Sequence, residues 1–213
     1  MKIHDYSRLN GVSYNRHGRS MVTASATTKN EKYKNSGKDM SNSLKRVIIT
    51  GEKQSGKSTL AAQLAAALKD KNVKIAGIIA KGIWKNNIRE GFNLMDLKTG
   101  KSYPLAKRME KPGKNSITGF EFLETGIAAG SRALNLEQCQ DADVIFVDEI
   151  GRLEIKSLGW SLLLAPVLSI QSAAHIWIVR KKFVKEICSI WKVEHTEIIN
   201  VDDKNALNRL KKI

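Results

Sequence analysis

Eight consecutive residues, Gly51-Glu52-Lys53-Gln54-Ser55-Gly56-Lys57-Ser58, carry the most explicit chemistry in this sequence. They fit G-x-x-x-x-G-K-[S/T], a loop whose backbone N–H groups wrap around the phosphates of a nucleotide. Gly51 and Gly56 permit backbone conformations that bulkier residues resist, so successive N–H groups can point inward at an anion. A helix beginning at Lys57 adds the positive end of its dipole. Lys57 brings a full charge to the β and γ phosphates, the Ser58 hydroxyl can ligate Mg2+, and Thr59 closes the predicted set of nucleotide contacts. A chance match in a glycine-bearing turn is the competing reading, and the apolar run before the loop and the Ala/Leu-rich segment after it count against it.

A second constellation is Asp148-Glu149, delivered by the apolar run Val144-Ile145-Phe146-Val147. Ligand sites in open α/β sheets lie at the carboxyl ends of strands, where such a pair would stand. Asp148 is placed to hold Mg2+ directly or through water. Glu149 can polarise an attacking water, the task that separates a hydrolase from a kinase, whose nucleophile is a substrate hydroxyl. The plainer alternative is a carboxylate pair that caps a strand. A cation must also offset charge on a transferring phosphoryl group, a role an arginine in cis can fill. Arg89 and Arg152 are the candidates, each weighed against a solvated surface arginine. Lys111 and Lys114 flank Pro112-Gly113, where a solvated loop is preferred to a lid. Trp84, read as part of a polar loop before Arg89, is a weaker candidate for contact with a nucleobase. Trp160, Trp177 and Trp191 are expected in the core, and His175 and His195 lack partners at ligand spacing.

These groups need a scaffold, and the hydrophobic pattern supplies one. Val47-Ile48-Ile49-Thr50 reads as a strand buried on both faces of a parallel sheet. Leu60, Leu64 and Leu68 recur every four residues from Lys57 to Lys69 and predict a helix. Further strands are predicted at Ile75 to Ala80, Val144 to Val147, Ile176 to Val179 and Ile198 to Val201, alternating with helices near 124 to 139, 157 to 170, 182 to 191 and 203 to 212. The alternating stretch from Gly91 to Leu97, the turn Lys98-Thr99-Gly100-Lys101 and the residues from Ser102 onward predict a β-hairpin insertion.

The chain has 213 residues and a net charge of +15. Residues 1 to 45 hold nine Lys/Arg against three Asp/Glu, and the longer remainder is net +9. Residues 1 to 44 are polar, without apolar period, and predict a disordered basic extension ahead of a domain over 45 to 213. A transit peptide or a later start at Met21 or Met40 are the rival readings. Within the domain the positive charge is scattered, which fits a solvated surface around an anion site better than a nucleic-acid groove. No segment approaches the roughly 20 apolar residues of a membrane span. Cys139 and Cys188 form no ligand pattern or disulfide framework, as expected in the reducing cytoplasm.

The run Asp148-Glu149-Ile150-Gly151-Arg152-Leu153-Glu154, taken with the phosphate loop and Arg89-Glu90-Gly91-Phe92, resembles the small nucleoside-triphosphatase family related to the thermophile enzyme THEP1. The likeness covers residues 45 to 213. It implies a RecA-like, three-layer P-loop NTPase fold with a mostly parallel central sheet. It also implies Mg2+-dependent hydrolysis of ATP, GTP and other triphosphates. A small-molecule or nucleotide kinase, a nucleotide-dependent binding module with little turnover and a nucleic-acid ATPase are the rivals.

Overall fold

The computed structural model describes residues 45–113, 116–193 and 196–212. The extension 1 to 44, Lys114 and His195 lie outside the described residues. The first strand, β1 (Arg46–Gly51), is buried at every position after Arg46 because both of its faces are covered. Ile48 points into one hydrophobic cluster, while Val47 and Ile49 point into the other. Helix α1 (Lys57–Lys69) follows, and Leu60, Leu64 and Leu68 form its buried stripe as their spacing predicts. The chain continues through β2 (Ile75–Lys85), β3 (Ile88–Asp96), β4 (Ser102–Arg108) and β5 (Phe120–Phe122). Then come α2 (Glu124–Ala133), α3 (Leu136–Cys139), β6 (Val144–Ile150), α4 (Arg152–Ile155) and α5 (Ser161–Leu168). Strand β7 (Ala174–Arg180), a 3-10 turn, α6 (Val184–Trp191), β8 (Thr196–Asn200) and α7 (Ala206–Leu210) complete it.

One eight-stranded sheet has the order β5-β4-β3-β2-β6-β7-β1-β8. The strands from β2 to β8 in that order pair in parallel, and β3, β4 and β5 continue the β2 edge as an antiparallel meander. Residues of α1 and α7 pack with one face of the sheet, and residues of α2, α5 and α6 with the other. This is the expected three-layer α/β fold.

Three local readings change. Strand β2 does not stop at Ala80 but runs to Lys85, and Asn86 and Asn87, both left-handed at φ 48 and 59, turn it into β3. A two-residue turn with both residues at positive φ matches the twist of a hairpin, and Asn tolerates that conformation better than most residues. Trp84 therefore stands on a strand, paired with Arg89, and not in a loop. The single helix foreseen near 124 to 139 is two, because Asn135 leaves the helical conformation and caps α3 by accepting the Gln138 N–H at 2.8 Å. The helix foreseen near 157 to 170 begins only at Ser161, as α5, because left-handed Ser157 and Gly159 break the chain ahead of it, and the short α4 before them was not foreseen.

Candidate active site

Three neighbouring strands bring the chemistry together at the carboxyl edge of the sheet. β1 leads into the phosphate loop, β6 ends in the acidic pair, and β7 lies between them and ends in Arg180, opposite Gly51 in register. In the loop, Gln54 (φ 66) and Gly56 (φ 89) are left-handed. A Cβ on Gly56 would meet nothing within 4 Å, so its backbone conformation, not space, calls for glycine there. Gly51 is glycine for the opposite reason, since a Cβ would come within 2.6 Å of both Ser55 Oγ and Val201 Cγ1. Glu52, Lys53, Gln54 and Thr59 are exposed, while Ser55, Lys57 and Ser58 are half-buried. The Lys57 ammonium curls back and donates to the Glu52 carbonyl, placing its charge over the loop.

Asp148 is almost fully buried at 1% exposure. Its Oδ2 accepts the Ala80 N–H at 3.0 Å, its Oδ1 accepts the Glu149 N–H at 2.7 Å, and the Ser58 hydroxyl bonds to the same carboxylate. Burial first and the neighbouring Glu149 second push its pKa up to about 7, against the lowering effect of these three donors. This buried carboxylate and the serine hydroxyl beside it could together hold a divalent cation. The donors are hard oxygens, the set Mg2+ takes, with its remaining positions left to phosphate and water.

Glu149 is set apart from Asp148 by a backbone irregularity. Val147 pairs with Trp177 and Ile150 with Val179, so β6 carries one residue more than β7 across this interval. Glu149 is that kink's left-handed residue, at φ 60. A non-glycine residue in that conformation costs about 1–2 kcal/mol, and such strain concentrates at functional sites. The bulge gives the two adjacent carboxylates different surroundings: Asp148 turns into the protein, while Glu149 is half-exposed with its Oε2 4.0 Å from Arg180 Nη2.

Arg89, on β3, is electrostatically part of this group. Burial lowers its pKa most, followed by the opposing influence of Glu149 and the repulsion of Arg180. Burial is also the main cause that lowers the Lys57 pKa, with Arg180 and Arg89 lowering it further and Glu149 and Asp148 raising it. Lys57, Arg89, Arg180, Asp148 and Glu149 thus form one cluster. Arg152 is not brought into it in the same way: it opens α4, is exposed, and donates from Nη1 to the Ile117 carbonyl at 3.2 Å, pinning the connection before β5. Lys111 is exposed. Trp160 and Trp177 are buried, Trp191 packs against the same cluster, and His175 is buried with Nε2 2.9 Å from the Ile170 carbonyl.

Two contributors escaped the sequence reading. Arg180 follows the apolar run Ile176 to Val179 directly, so its place at a strand end was there to be used. Glu154 is buried, its Oε2 accepting the Gly151 N–H at 2.8 Å and its Oε1 the Trp160 N–H at 3.1 Å. It fastens the turns on both sides of α4 and so fixes the chain leaving the acidic pair. The signal was a glutamate three residues after Gly151, the spacing of a helix N-terminal cap.

Known proteins resemble this chain in sequence and in fold. A family model described as NTPase matches residues 46–213. Nucleoside-triphosphatase THEP1 of Methanocaldococcus jannaschii is 35% identical over 126 residues, 58% of this chain and 71% of that protein. The Methanothermobacter thermautotrophicus protein of the same name is 29% identical over 160 residues, 74% of this chain and 87% of its own. Among solved structures, a human cancer-related nucleoside triphosphatase superposes with a TM-score of 0.62 at 20% identity, covering 79% of this chain and 95% of that one. THEP1 from Aquifex aeolicus gives 0.59 at 18% identity, covering 78% and 95%. At these identities the two structures bear on the fold alone.

Proposed function

The chain belongs to the NTPase family, and on that premise we propose that it hydrolyses nucleoside 5'-triphosphates, ATP and GTP among them with broad base tolerance, to diphosphate and phosphate in a Mg2+-dependent reaction. The observation that carries this reading is the division of labour in the acidic pair: Asp148 buried against the Ser58 hydroxyl, and Glu149 turned out on a strained bulge beside it.

The N–H groups of residues 51 to 59 and the dipole of α1 hold the polyphosphate, and Lys57 takes the β and γ phosphates. Ser58 and Asp148 would hold Mg2+, which would supply neutralisation of phosphate charge. Glu149 accepts a proton from the water whose oxygen attacks the γ phosphorus, and the bond from that phosphorus to the bridging oxygen breaks to leave the diphosphate. Arg89 faces the charge that gathers on the transferring group, a contribution that arginines in this role make strongly. Arg152, tied to the Ile117 carbonyl, acts on the connection beside the site. Among the described residues no helix is long and apolar enough to cross a membrane. A reducing, cytoplasmic setting remains part of this proposal.

The deciding experiment is phosphate release from each common triphosphate, with and without Mg2+ and with no acceptor present. Wild-type protein should release phosphate and Lys57→Ala should not. Turnover by the Lys57 variant at the wild-type rate would remove the loop from the reaction. A requirement for an added hydroxyl acceptor would point to a kinase instead.

A further inference from the structure

Arg89 is held in an unusual way. Its guanidinium carbon lies 4.7 Å from the centre of the Trp84 ring and 4.9 Å from that of Phe92, so two aromatic side chains grip it. Beneath it is Gly82: a Cβ at that position would stand 2.9 Å from Arg89 Nε and 3.0 Å from Trp84 Nε1. Arg89 Nε is buried, and among the described residues it has no hydrogen-bond partner. The grip is braced from behind, since Phe92 meets Phe120 edge to face at 4.9 Å and Arg108 Nε donates to the Arg89 carbonyl at 2.7 Å.

An arginine that serves only to stabilise a fold is ordinarily satisfied by carboxylates or carbonyls, because a desolvated guanidinium without acceptors is costly. Here ring faces attract the cation without occupying its N–H groups. Those donors stay free for an anion, and the side chain loses little freedom when it engages one because it is already immobilised. Trp84 is itself 48% exposed, more than a tryptophan kept for packing alone would be.

We propose that Gly82, Trp84 and Phe92 are positioning residues that hold Arg89 aimed at the γ-phosphate, so that Trp84 acts on turnover through the arginine and not by contact with a nucleobase. This inference rests on Arg89 acting in the hydrolysis described above. A positioning role predicts that loss of the ring lowers kcat and leaves KM nearly unchanged, because the ground-state contacts of the phosphate loop are untouched.

The test is steady-state phosphate release by Trp84→Ala, Trp84→Phe, Arg89→Ala and the Trp84→Ala/Arg89→Ala double variant, each first shown to melt cooperatively near the wild-type temperature. Trp84→Ala should lower kcat roughly tenfold, as expected for loss of a strong cation–π contact, and shift KM less than threefold. Trp84→Phe, which restores a ring face, should recover most of the rate. In the Arg89→Ala background the Trp84 substitution should add no further loss, since the two act as one unit. Adding nucleotide should also change the fluorescence contributed by half-exposed Trp84, a change that Trp84→Phe abolishes. Wild-type kcat in Trp84→Ala with Arg89→Ala impaired would overturn the grip alone. Wild-type kcat in Arg89→Ala would overturn it together with the catalytic role of the arginine. A rise in KM at constant kcat in Trp84→Ala would show that Trp84 contacts the nucleotide itself, and would overturn the proposal too.

Discussion

Replacing Glu154 with Gln should flatten the dependence of folding stability on pH. Burial is the main influence on this carboxyl and pushes its pKa from 4.5 up to about 7, although the Trp160 and Gly151 N–H groups pull the other way. A carboxyl with a raised folded pKa binds its proton more tightly in the native protein than in the unfolded chain. Its contribution to stability is therefore fully present below about pH 4.5 and is lost as pH rises towards 7. At ~1.4 kcal/mol per pKa unit, the interval from pH 5 to the folded value amounts to about 3 kcal/mol. Gln keeps the shape of the side chain but has one acceptor oxygen, so one of the two backbone N–H groups loses its partner. That costs about 1–3 kcal/mol at every pH and adds no slope. Urea unfolding of both proteins at pH 5 and pH 8, without nucleotide, separates the two effects. The difference between variant and wild type should move by about 3 kcal/mol in favour of the variant between those pH values. Parallel pH profiles would refute the claim that Glu154 is held in a site that disfavours its charge.

The acidic pair should split under conservative substitution. Glu149→Gln should bind Mg·NTP with near-normal affinity yet turn over at about a hundredth of the normal rate or less, as nucleotide titration and phosphate release would show. Asp148→Asn should lose Mg2+ dependence as well as rate. Arg180→Ala should weaken nucleotide binding roughly tenfold, the scale of one charge-assisted hydrogen bond, while the melting temperature stays close to wild type because a half-exposed ion pair contributes ~0–1 kcal/mol. Unchanged nucleotide affinity in that variant would leave Arg180 as a surface partner of Glu149 and nothing more.

The phosphate loop, its helix and the acidic pair were legible because each is local. A glycine-bracketed motif, a four-residue leucine stripe and an apolar run ending in two carboxylates depend on neighbours in sequence. What was missed is long-range. Arg180 gains meaning only because β7 lies between β1 and β6, an order that no local pattern encodes. Arg89 was visible as a charge near the insertion, but its seat depends on Gly82 and Trp84 crossing from β2. That crossing was hidden by ending the strand at Ala80 and placing Trp84 in a polar loop. The exposed far half of β2 alternates without a buried face, so its composition resembles a loop, and pairing with β3 overrides it. The bulge at Glu149 is equally silent in composition. It appears only when β6 and β7 are laid in register.

The charges in the site bear on the proposed pairing of a nucleotide with a divalent ion. Lys57 and Arg89 each have a pKa lowered chiefly by burial, and Arg180 lowers both further, so the three cations are held against mutual repulsion. Asp148 is pushed up by burial and by Glu149, so the two carboxylates also oppose each other. Each set partly relieves the other, as where Arg180 meets Glu149 at 4.0 Å, but the remaining cations belong to the loop and to β3, and Asp148 to the buried end of β6. A triphosphate alone would satisfy the cations and bring new negative charge beside Asp148. A divalent ion alone would satisfy Asp148 and add to the repulsion felt by Lys57. Bound together they relieve both sets, so each should raise the affinity for the other by the same factor. Arg89, gripped by rings and not by carboxylates, can answer the charge that develops on the phosphoryl group without first giving up a protein partner. In the proposed reaction Glu149 is then the acidic group of the pair still turned outward, in the position that a base for water would take.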